Sequence, residues 1–265
     1  MLPTFTVWGV RFNTFPFIIF LALIASVTTF MFAHKYKKFY RVTIFKLCLP
    51  ILAFAALGAR LFSAVTLMSI SDQSFWHNLL YGGSVFYGGV FGGAAGLLIV
   101  CLVKHYEFLV FSDLFVTLLP IGHAIGRLGC YLNGCCYGSQ YNGAFAVDFI
   151  VNGVKTTVFP TWFFEAGFCF VLFIYFQLVH KNNATGNRTA IYFISYSIYR
   201  FLIEFMRGDE IRGHIGFLSS SQIISLFMLL LGLCILYVSL KDNCENYLFN
   251  KERENNANLS IPSSV

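Results

Sequence analysis

The sequence predicts an all-α membrane protein with seven transmembrane helices, its N-terminus outside and its C-terminus in the cytoplasm. Of 265 residues, 57% are hydrophobic and 11% are charged, against about 25% charged in soluble domains. Mean hydropathy is +0.70. Several apolar runs reach the roughly 20 residues that a helix needs to cross a hydrocarbon core of about 30 Å. Helices also satisfy their own backbone polar groups, as lipid requires.

The predicted spans form one membrane domain over residues 1–240, followed by a polar cytoplasmic tail, 241–265, whose last part is predicted to be disordered. The first span lacks the basic flank of a cleaved signal peptide and is expected to be retained. The seven spans cover residues 14–33, 44–67, 81–103, 109–129, 160–180, 189–206 and 217–240.

Lysine and arginine set the orientation, because short cytoplasmic loops carry an excess of both. Most of the 18 basic residues fall on one side of the predicted spans. That side holds Lys35, Lys37, Lys38, Arg41, Lys46, Lys104, Lys181, Arg188, Lys241, Lys251 and Arg253, and the other holds Arg11, Lys155, Arg207 and Arg212. The net charge of +6 is therefore attributed to topology. No nucleic acid is expected as a partner, since the basic residues form no stripe with interleaved aromatics.

The largest outer loop lies between the fourth and fifth spans, over about residues 130–159. Its stretch "NGAFAVDFIVNGVKTTVF" alternates in polarity around Asn152-Gly153, a pair typical of tight hairpin turns. A small extracytoplasmic element is predicted there.

Seven of the eight cysteines divide into two groups. Cys48, Cys101, Cys169 and Cys234 lie in apolar runs, where cysteine behaves as a small hydrophobic residue. Cys130, Cys135 and Cys136 fall at the outer surface, where a disulfide is possible. Their C-x4-C-C spacing does not match zinc-site patterns and no histidine follows at ligand spacing, so no metal is expected.

A glycine-dense stretch, "YGGSVFYGGVFGGAAG" from Tyr81 to Gly96, leaves two interpretations open. Small residues at spacings of three or four let transmembrane helices approach closely. Alternatively, the glycines line a binding groove, to which Tyr87, Gly88 and Gly89 contribute.

Four ionisable residues stand out within the predicted spans or at their ends: Arg60, Arg127, Arg200 and Glu204. Each needs a reason, because a charge at the bilayer centre costs roughly 2.5–3.5 kcal/mol on insertion scales. Arg200 and Glu204 are four residues apart and can pair on one helix. Arg127 has no acidic residue in its own segment, residues 122–138, which leaves surplus positive charge for a buried anion.

The anion is predicted to be a phospholipid phosphate from the outer leaflet. Arginine binds phosphate through two parallel hydrogen bonds, whereas lysine presents a compact point charge. Gly126 and Gly129 flank Arg127 and allow close approach of the backbone to a ligand. Asn133 and Gly134 add a side-chain amide and a turn at the end of the helix.

The segment "GRLGCYLNGCCYG" resembles the signature of the prolipoprotein diacylglyceryl transferase family of bacterial inner-membrane enzymes. The likeness continues through "GARLF", "FYGGVFGG", "SDLFVTLLP", "FPTWFFE" and "YRFLIEFMRGD", in order and over almost the whole chain. The resemblance implies seven transmembrane helices in the cytoplasmic membrane. It also implies transfer of a diacylglyceryl group from phosphatidylglycerol to the lipobox cysteine of a preprolipoprotein, with glycerol phosphate released and no cofactor.

The family signature carries over to individual residues of this chain. Arg127 and Arg200 match arginines taken as essential in the family, and Glu204 matches the acidic residue that follows the second of them. The substrate-binding residues implied by matched motifs are Arg60, Tyr87, Gly88, Gly89, Gly126, Gly129, Asn133, Gly134, Gly138 and Glu165.

The chain departs from the family pattern at several polar positions. Tyr87 stands where many members have histidine, Cys130 where asparagine is usual, and Cys135 where an acidic residue is often found. The segment from Phe159 to Glu165 keeps only part of the familiar His-Pro-Thr-Gln-x-Tyr-Glu pattern. A second hypothesis is therefore a non-catalytic or substrate-shifted paralogue that binds phospholipid.

The implied reaction needs the incoming cysteine as a thiolate, and a thiol of pKa about 8.5 is only a few per cent ionised at pH 7. Arginines lower such a pKa and stabilise the departing phosphate. His123, four residues before Arg127 and on the same helical face, is the candidate general base. The alternative is an interfacial histidine bonded to a backbone carbonyl. Tyr87 is expected to bind substrate only.

Overall fold

The structure, a computed structural model, describes residues 4–7, 10–32, 38–68, 74–81, 86–151, 153–179, 185–208, 214–215 and 217–259. Most of these residues are helical. The helices are α1 (Thr14–Phe32), α2 (Lys38–Met68), α3 (Phe75–Tyr81), α4 (Phe86–Lys104), α5 (Phe108–Val116), α6 (Leu119–Asn133), α7 (Thr161–Ile174), α8 (Asn187–Ile203) and α9 (Ser220–Leu259). A π-helical turn, Tyr175–Val179, extends α7, and a 3-10 turn, Glu204–Met206, extends α8.

Among the described residues, three helical stretches are long and apolar enough to cross a membrane: Lys46–Met68, Thr161–Leu178 and Ser220–Lys241. Helices α5 and α6 add a fourth if the two are counted as one broken span. The protein is therefore a mostly helical membrane protein. A count of seven spans and the orientation stay predictions.

The fourth and the last of the predicted spans differ most from the helices of the structure. The span predicted over 109–129 is broken into two helices, α5 and α6. Pro120 lies in the first turn of α6, a position that tolerates proline, whereas a proline in the interior of a continuous helix would disrupt that helix. The last span, predicted to end at residue 240, continues as α9 to Leu259. Residues 241–259 contain neither proline nor glycine, the two residues that most disfavour a helix interior.

The described part of the chain also contains three two-stranded antiparallel pairs: β1 (Thr4–Val7) with β2 (Val10–Asn13), β3 (Val147–Val151) with β4 (Val154–Val158), and β5 (His214–Ile215) with β6 (Leu218–Ser219). The β3–β4 hairpin confirms the element predicted between the fourth and fifth spans. Its register pairs Val151 with Val154, and Gly153 in the turn has φ of +82°, a value that favours glycine.

The chain divides into two compact units, one of residues 29–114 and one that joins residues 1–28 to 115–265. In the first unit, α2 and α4 pack through glycines. A Cβ at Gly58 would lie 2.8 Å from Gly92 Cα, and a Cβ at Gly88 would meet the Gly58 carbonyl oxygen. The glycines of α4 thus allow close helix packing, the first of the two interpretations of that stretch.

In the second unit, α6, α7 and α8 share a buried cluster of side chains. Its members are Val116, Ala124, Ala166, Cys169, Leu172, Phe176, Tyr192 and Tyr196. The cluster packs the three helices against one another. The polar residues His123, Arg127, Glu165 and Arg200 lie on the same three helices.

Candidate active site

His123 and Arg127 lie one turn apart on α6 and are both buried. Arg127 Nε donates to His123 Nε2 at 3.3 Å. Since Nε2 accepts, the tautomer inferred from the hydrogen bonds carries its proton on Nδ1. That nitrogen lies 3.4 Å from Tyr192 Oη on α8. The predicted shared face is confirmed, and the histidine contacts the arginine directly.

Glu165 on α7 is the counterion of Arg127. Its Oε1 lies 2.6 Å from Arg127 Nη2 and 3.6 Å from His123 Nε2, and it accepts a hydrogen bond of 2.7 Å from Tyr196 Oη. Glu165 is 1% exposed. The expectation that Arg127 carries an uncompensated charge is therefore wrong, because the partner comes from another helix and cannot be found within the arginine's own segment.

Arg200 and Glu204 form the ion pair that their spacing predicts. Arg200 Nη2 lies 2.7 Å from Glu204 Oε2 and 3.2 Å from Ser221 Oγ. Glu204 Oε1 accepts a hydrogen bond of 2.9 Å from Ser219 Oγ. Arg207 Nε lies 3.8 Å from Glu204 Oε2. Residues of α8 and α9 thus hold the second arginine in a fixed position.

The two ion pairs belong to one electrostatic site. Arg200 interacts electrostatically with both Glu165 and His123. Three arginines, at positions 127, 200 and 207, face two glutamates, at positions 165 and 204, and the tautomer inferred for His123 is neutral. The site retains a positive charge, which suits an anionic ligand.

The tyrosines of the site were missed in the sequence. Tyr192 and Tyr196 are buried on α8, and their rings stack at 5.8 Å with 5° between planes. The sequence held a signal for them, because Tyr192, Tyr196, Arg200 and Glu204 recur at intervals of four residues and so follow one face of a helix.

The glycines around Arg127 contact α1. A Cβ at Gly129 would lie 2.9 Å from Ile18 Cγ2, and one at Gly126 would lie 3.8 Å from Ile19 Cδ1. The close approach expected of these glycines is thus made by a helix, and contact with a ligand stays a prediction.

The residues after Arg127 shape the end of α6. Asn133 is the last residue of the helix and is exposed. Gly134 caps it with φ of 78° and donates its N–H to the Tyr131 carbonyl at 3.1 Å. Gly138 pairs with Arg207 in an antiparallel bridge. The two glycines have structural reasons to be glycine, and their predicted substrate contacts are untested.

The remaining candidate residues lie in the unit of residues 29–114. Arg60 is exposed on α2, and its Nη1 donates to the Leu80 carbonyl at 2.9 Å. Gly88 and Gly89 lie on α4 beside α2. Tyr87 falls in α4, but its side chain lies outside the described residues.

A cluster of three thiols lies at the C-terminal end of α6, formed by Cys130, Cys135 and Cys136. The ligand spacing in the sequence did not predict this cluster. Their sulfur atoms all lie within 4.8 Å of one another. Hydrogen bonds with the Cys130 and Cys135 thiols hold the pKa of the Cys136 thiol below its usual range, and Arg127 and Arg207 lower it further.

These features define a class: a helical membrane protein with a buried arginine-rich site suited to an anionic group. Comparison with known proteins gives the family. A family model described as prolipoprotein diacylglyceryl transferase matches residues 3–238. The chain belongs to this family.

Three curated relatives match the sequence of this chain over most of their own length. A protein of Clostridium perfringens named phosphatidylglycerol-prolipoprotein diacylglyceryl transferase 2 is 29% identical over 235 residues, covering 86% of this chain and 91% of its own. A protein of Clostridium tetani with that name, without the numeral, is 29% identical over 87% of this chain and 94% of its own. A third relative, from Clostridium novyi and with the same name, is 30% identical over 91% of this chain and 96% of its own length.

Proposed function

We propose that the chain transfers the diacylglyceryl group of phosphatidylglycerol to the lipobox cysteine of a preprolipoprotein. The cysteine sulfur forms a thioether bond to the glyceryl carbon, the carbon–oxygen bond to phosphate breaks, and glycerol phosphate leaves. The observation that carries the proposal is the buried Arg127–Glu165–His123 cluster in a chain that matches the family over residues 3–238.

Arg127 and Arg200 bind the phosphate in this proposal. Two of the three nitrogens of Arg127 contact His123 and Glu165, and a guanidinium has five N–H donors in all. The remaining donors can bind the departing phosphate, where negative charge develops in the transition state. Glu165 acts as a positioning residue, because it orients the Arg127 guanidinium and compensates its charge in the resting site.

His123 is proposed as the general base. In the inferred tautomer, Nε2 has the lone pair that would accept the thiol proton, and it now accepts from Arg127 Nε. Rotation of the arginine toward a bound phosphate would free this nitrogen. Phosphate binding would then precede proton transfer, so that the thiolate forms only when its electrophile is in place.

Tyr196 and Glu204 support the two arginines. The Tyr196 hydroxyl donates to Glu165, and Glu204 pairs with Arg200 while it accepts from Ser219. These contacts favour the enzyme over a non-catalytic paralogue, because both arginines keep buried acidic partners despite the departures at Tyr87, Cys130 and Cys135.

The proposed setting follows from the reaction. Seven spans with the N-terminus outside would place the end of α6 and the β3–β4 hairpin at the outer surface of the bacterial cytoplasmic membrane. Preprolipoprotein signal peptides and outer-leaflet lipid meet there. Cysteine-accessibility labelling of the hairpin in intact cells tests this orientation.

The decisive experiment measures diacylglyceryl transfer to a lipobox peptide in membranes that contain phosphatidylglycerol. We expect transfer by the wild type, with glycerol phosphate released in equal amount, and its loss in Arg127→Ala. Lys155→Ala is the matched control, because this cation is 73% exposed and pairs with Asp148 on the hairpin. A folded wild type that binds phosphatidylglycerol without transfer would leave the lipid-binding paralogue.

A further inference from the structure

The three cysteines at the C-terminal end of α6 bring their sulfur atoms together as potential metal ligands. Cys130 lies in the last turn of the helix, and the left-handed Gly134 turns the chain back so that the Cys135 N–H donates to the Cys130 carbonyl at 3.1 Å. Cys136 has φ of 62°, and it brings a third sulfur within 4.8 Å of the other two. Three soft ligand atoms thus lie close enough together to share one ion.

Two side chains of α7 hold this turn in place through hydrogen bonds. Thr161 Oγ1 donates to the Cys136 carbonyl at 2.8 Å, and Trp162 Nε1 donates to the Cys135 carbonyl. Both side chains are 1% exposed. Buried anchors therefore hold the two adjacent cysteines, and the sulfur positions follow from the packing of the fold.

The surroundings favour a thiolate at Cys136. The cysteines are half-buried, and Cys130 and Cys136 pack against the aromatic cluster that contains Phe149 and Trp162. Arg127 and Arg207 both interact electrostatically with Cys136. Two positive groups thus lie near the three sulfurs.

We propose that Cys130, Cys135 and Cys136 bind one Cu(I) ion as three thiolates. The three thiols release their protons to solvent and three copper–sulfur bonds form, with no change of oxidation state. Arg127 and Arg207 reduce the electrostatic cost of the resulting negative charge. Soft thiolate ligands select Cu(I) over harder cations.

The number of ligands favours copper over its competitors. A three-coordinate ion with metal–sulfur bonds of about 2.3 Å, the value for zinc, holds its sulfurs about 4 Å apart, which fits the observed cluster. Structural zinc takes four protein ligands, and the group found among the described residues offers three. A disulfide would use two of the sulfurs and leave the third.

The test uses the full chain, purified in detergent, reduced with a phosphine without oxygen and loaded with Cu(I). Competition with a coloured Cu(I) chelator gives the affinity. We expect one copper per chain, and a fall in affinity of about tenfold or more in each of Cys130→Ser, Cys135→Ser and Cys136→Ser, since even second-shell changes cost 10–100-fold. Cys234→Ser, an exposed cysteine on α9, is the control and should bind like the wild type.

X-ray absorption of the copper-loaded wild type gives a second readout that needs no variant. Three sulfur neighbours would support the site. The proposal is overturned if copper binds substoichiometrically, if Cys234→Ser weakens binding equally, or if the cluster takes Zn(II) and not Cu(I). A disulfide between two of the three cysteines that persists after reduction also overturns it.

Discussion

Glu165 Oε1 and Arg127 Nη2 lie 2.6 Å apart, and the two residues come from different helices, α7 and α6. This pair joins the two helices at the point where the proposed chemistry takes place. The same carboxylate accepts from Tyr196 on α8, so three helices meet at one oxygen atom.

Glu165→Gln should destabilise the protein and abolish most transfer. Removing one partner of a buried ion pair costs about 3–5 kcal/mol, because the other charge remains buried. At about 2–4 °C per kcal/mol for a chain of this size, the melting temperature in detergent should fall by roughly 6 °C or more. A thermal shift assay of purified protein measures it.

Asp148→Asn is the matched control for that prediction. It breaks the Asp148–Lys155 pair, whose side chains are 59% and 73% exposed, and exposed pairs contribute about 0–1 kcal/mol. Its melting temperature should stay close to that of the wild type. Equal shifts in the two variants would contradict a structural role for the buried pair.

Tyr196→Phe should lower transfer about tenfold while the protein stays folded. The substitution removes the hydroxyl that donates to Glu165 at 2.7 Å, and a hydrogen bond to a charged group is worth about 1.5–3 kcal/mol. Initial rates of transfer measure the loss. Tyr192→Phe removes only a 3.4 Å contact with His123 and should cost less. The reverse order would contradict the role given to Tyr196.

His123 variants separate proton transfer from positioning. His123→Gln keeps an acceptor for Arg127 Nε but cannot take a thiol proton, whereas His123→Ala loses both functions. If His123 is the general base, both variants should lose about 10²–10⁴-fold in kcat. Recovery of activity in His123→Gln alone would make the histidine a positioning residue.

Local patterns in the sequence predicted the parts of the site that lie on one element. Apolar runs located the helices, Asn152-Gly153 located the hairpin, and intervals of four residues paired Arg200 with Glu204 and placed His123 beside Arg127. Each of these relationships depends on helix or strand periodicity, which local sequence determines.

Relationships between elements could not be predicted in this way. Glu165 pairs with Arg127 through the packing of α7 on α6, and 38 positions separate them in the chain. The cysteine cluster likewise depends on anchors from Thr161 and Trp162. The ligand spacing of known metal sites gave no guide to it, because a left-handed turn at Gly134 brings the sulfurs together.

Gly138→Ala tests the turn that connects the arginine site to the hairpin. A Cβ at position 138 would meet the Phe159 carbonyl oxygen, would lie 2.8 Å from Phe159 Cβ and would lie 2.9 Å from the Met206 carbonyl oxygen. Two of these three atoms are backbone, so they cannot move aside cheaply, and overpacking costs about 1–3 kcal/mol or more. We expect a lower yield of monodisperse protein and a lower melting temperature.

Gly167→Ala on α7 is the matched control, because its Cβ would meet no atom within 4 Å among the described residues, and alanine favours a helix over glycine by about 0.8–1.0 kcal/mol. It should be neutral or stabilising. A Gly138→Ala protein as stable as Gly167→Ala would show that the bridge between Gly138 and Arg207 does not constrain the position of that arginine.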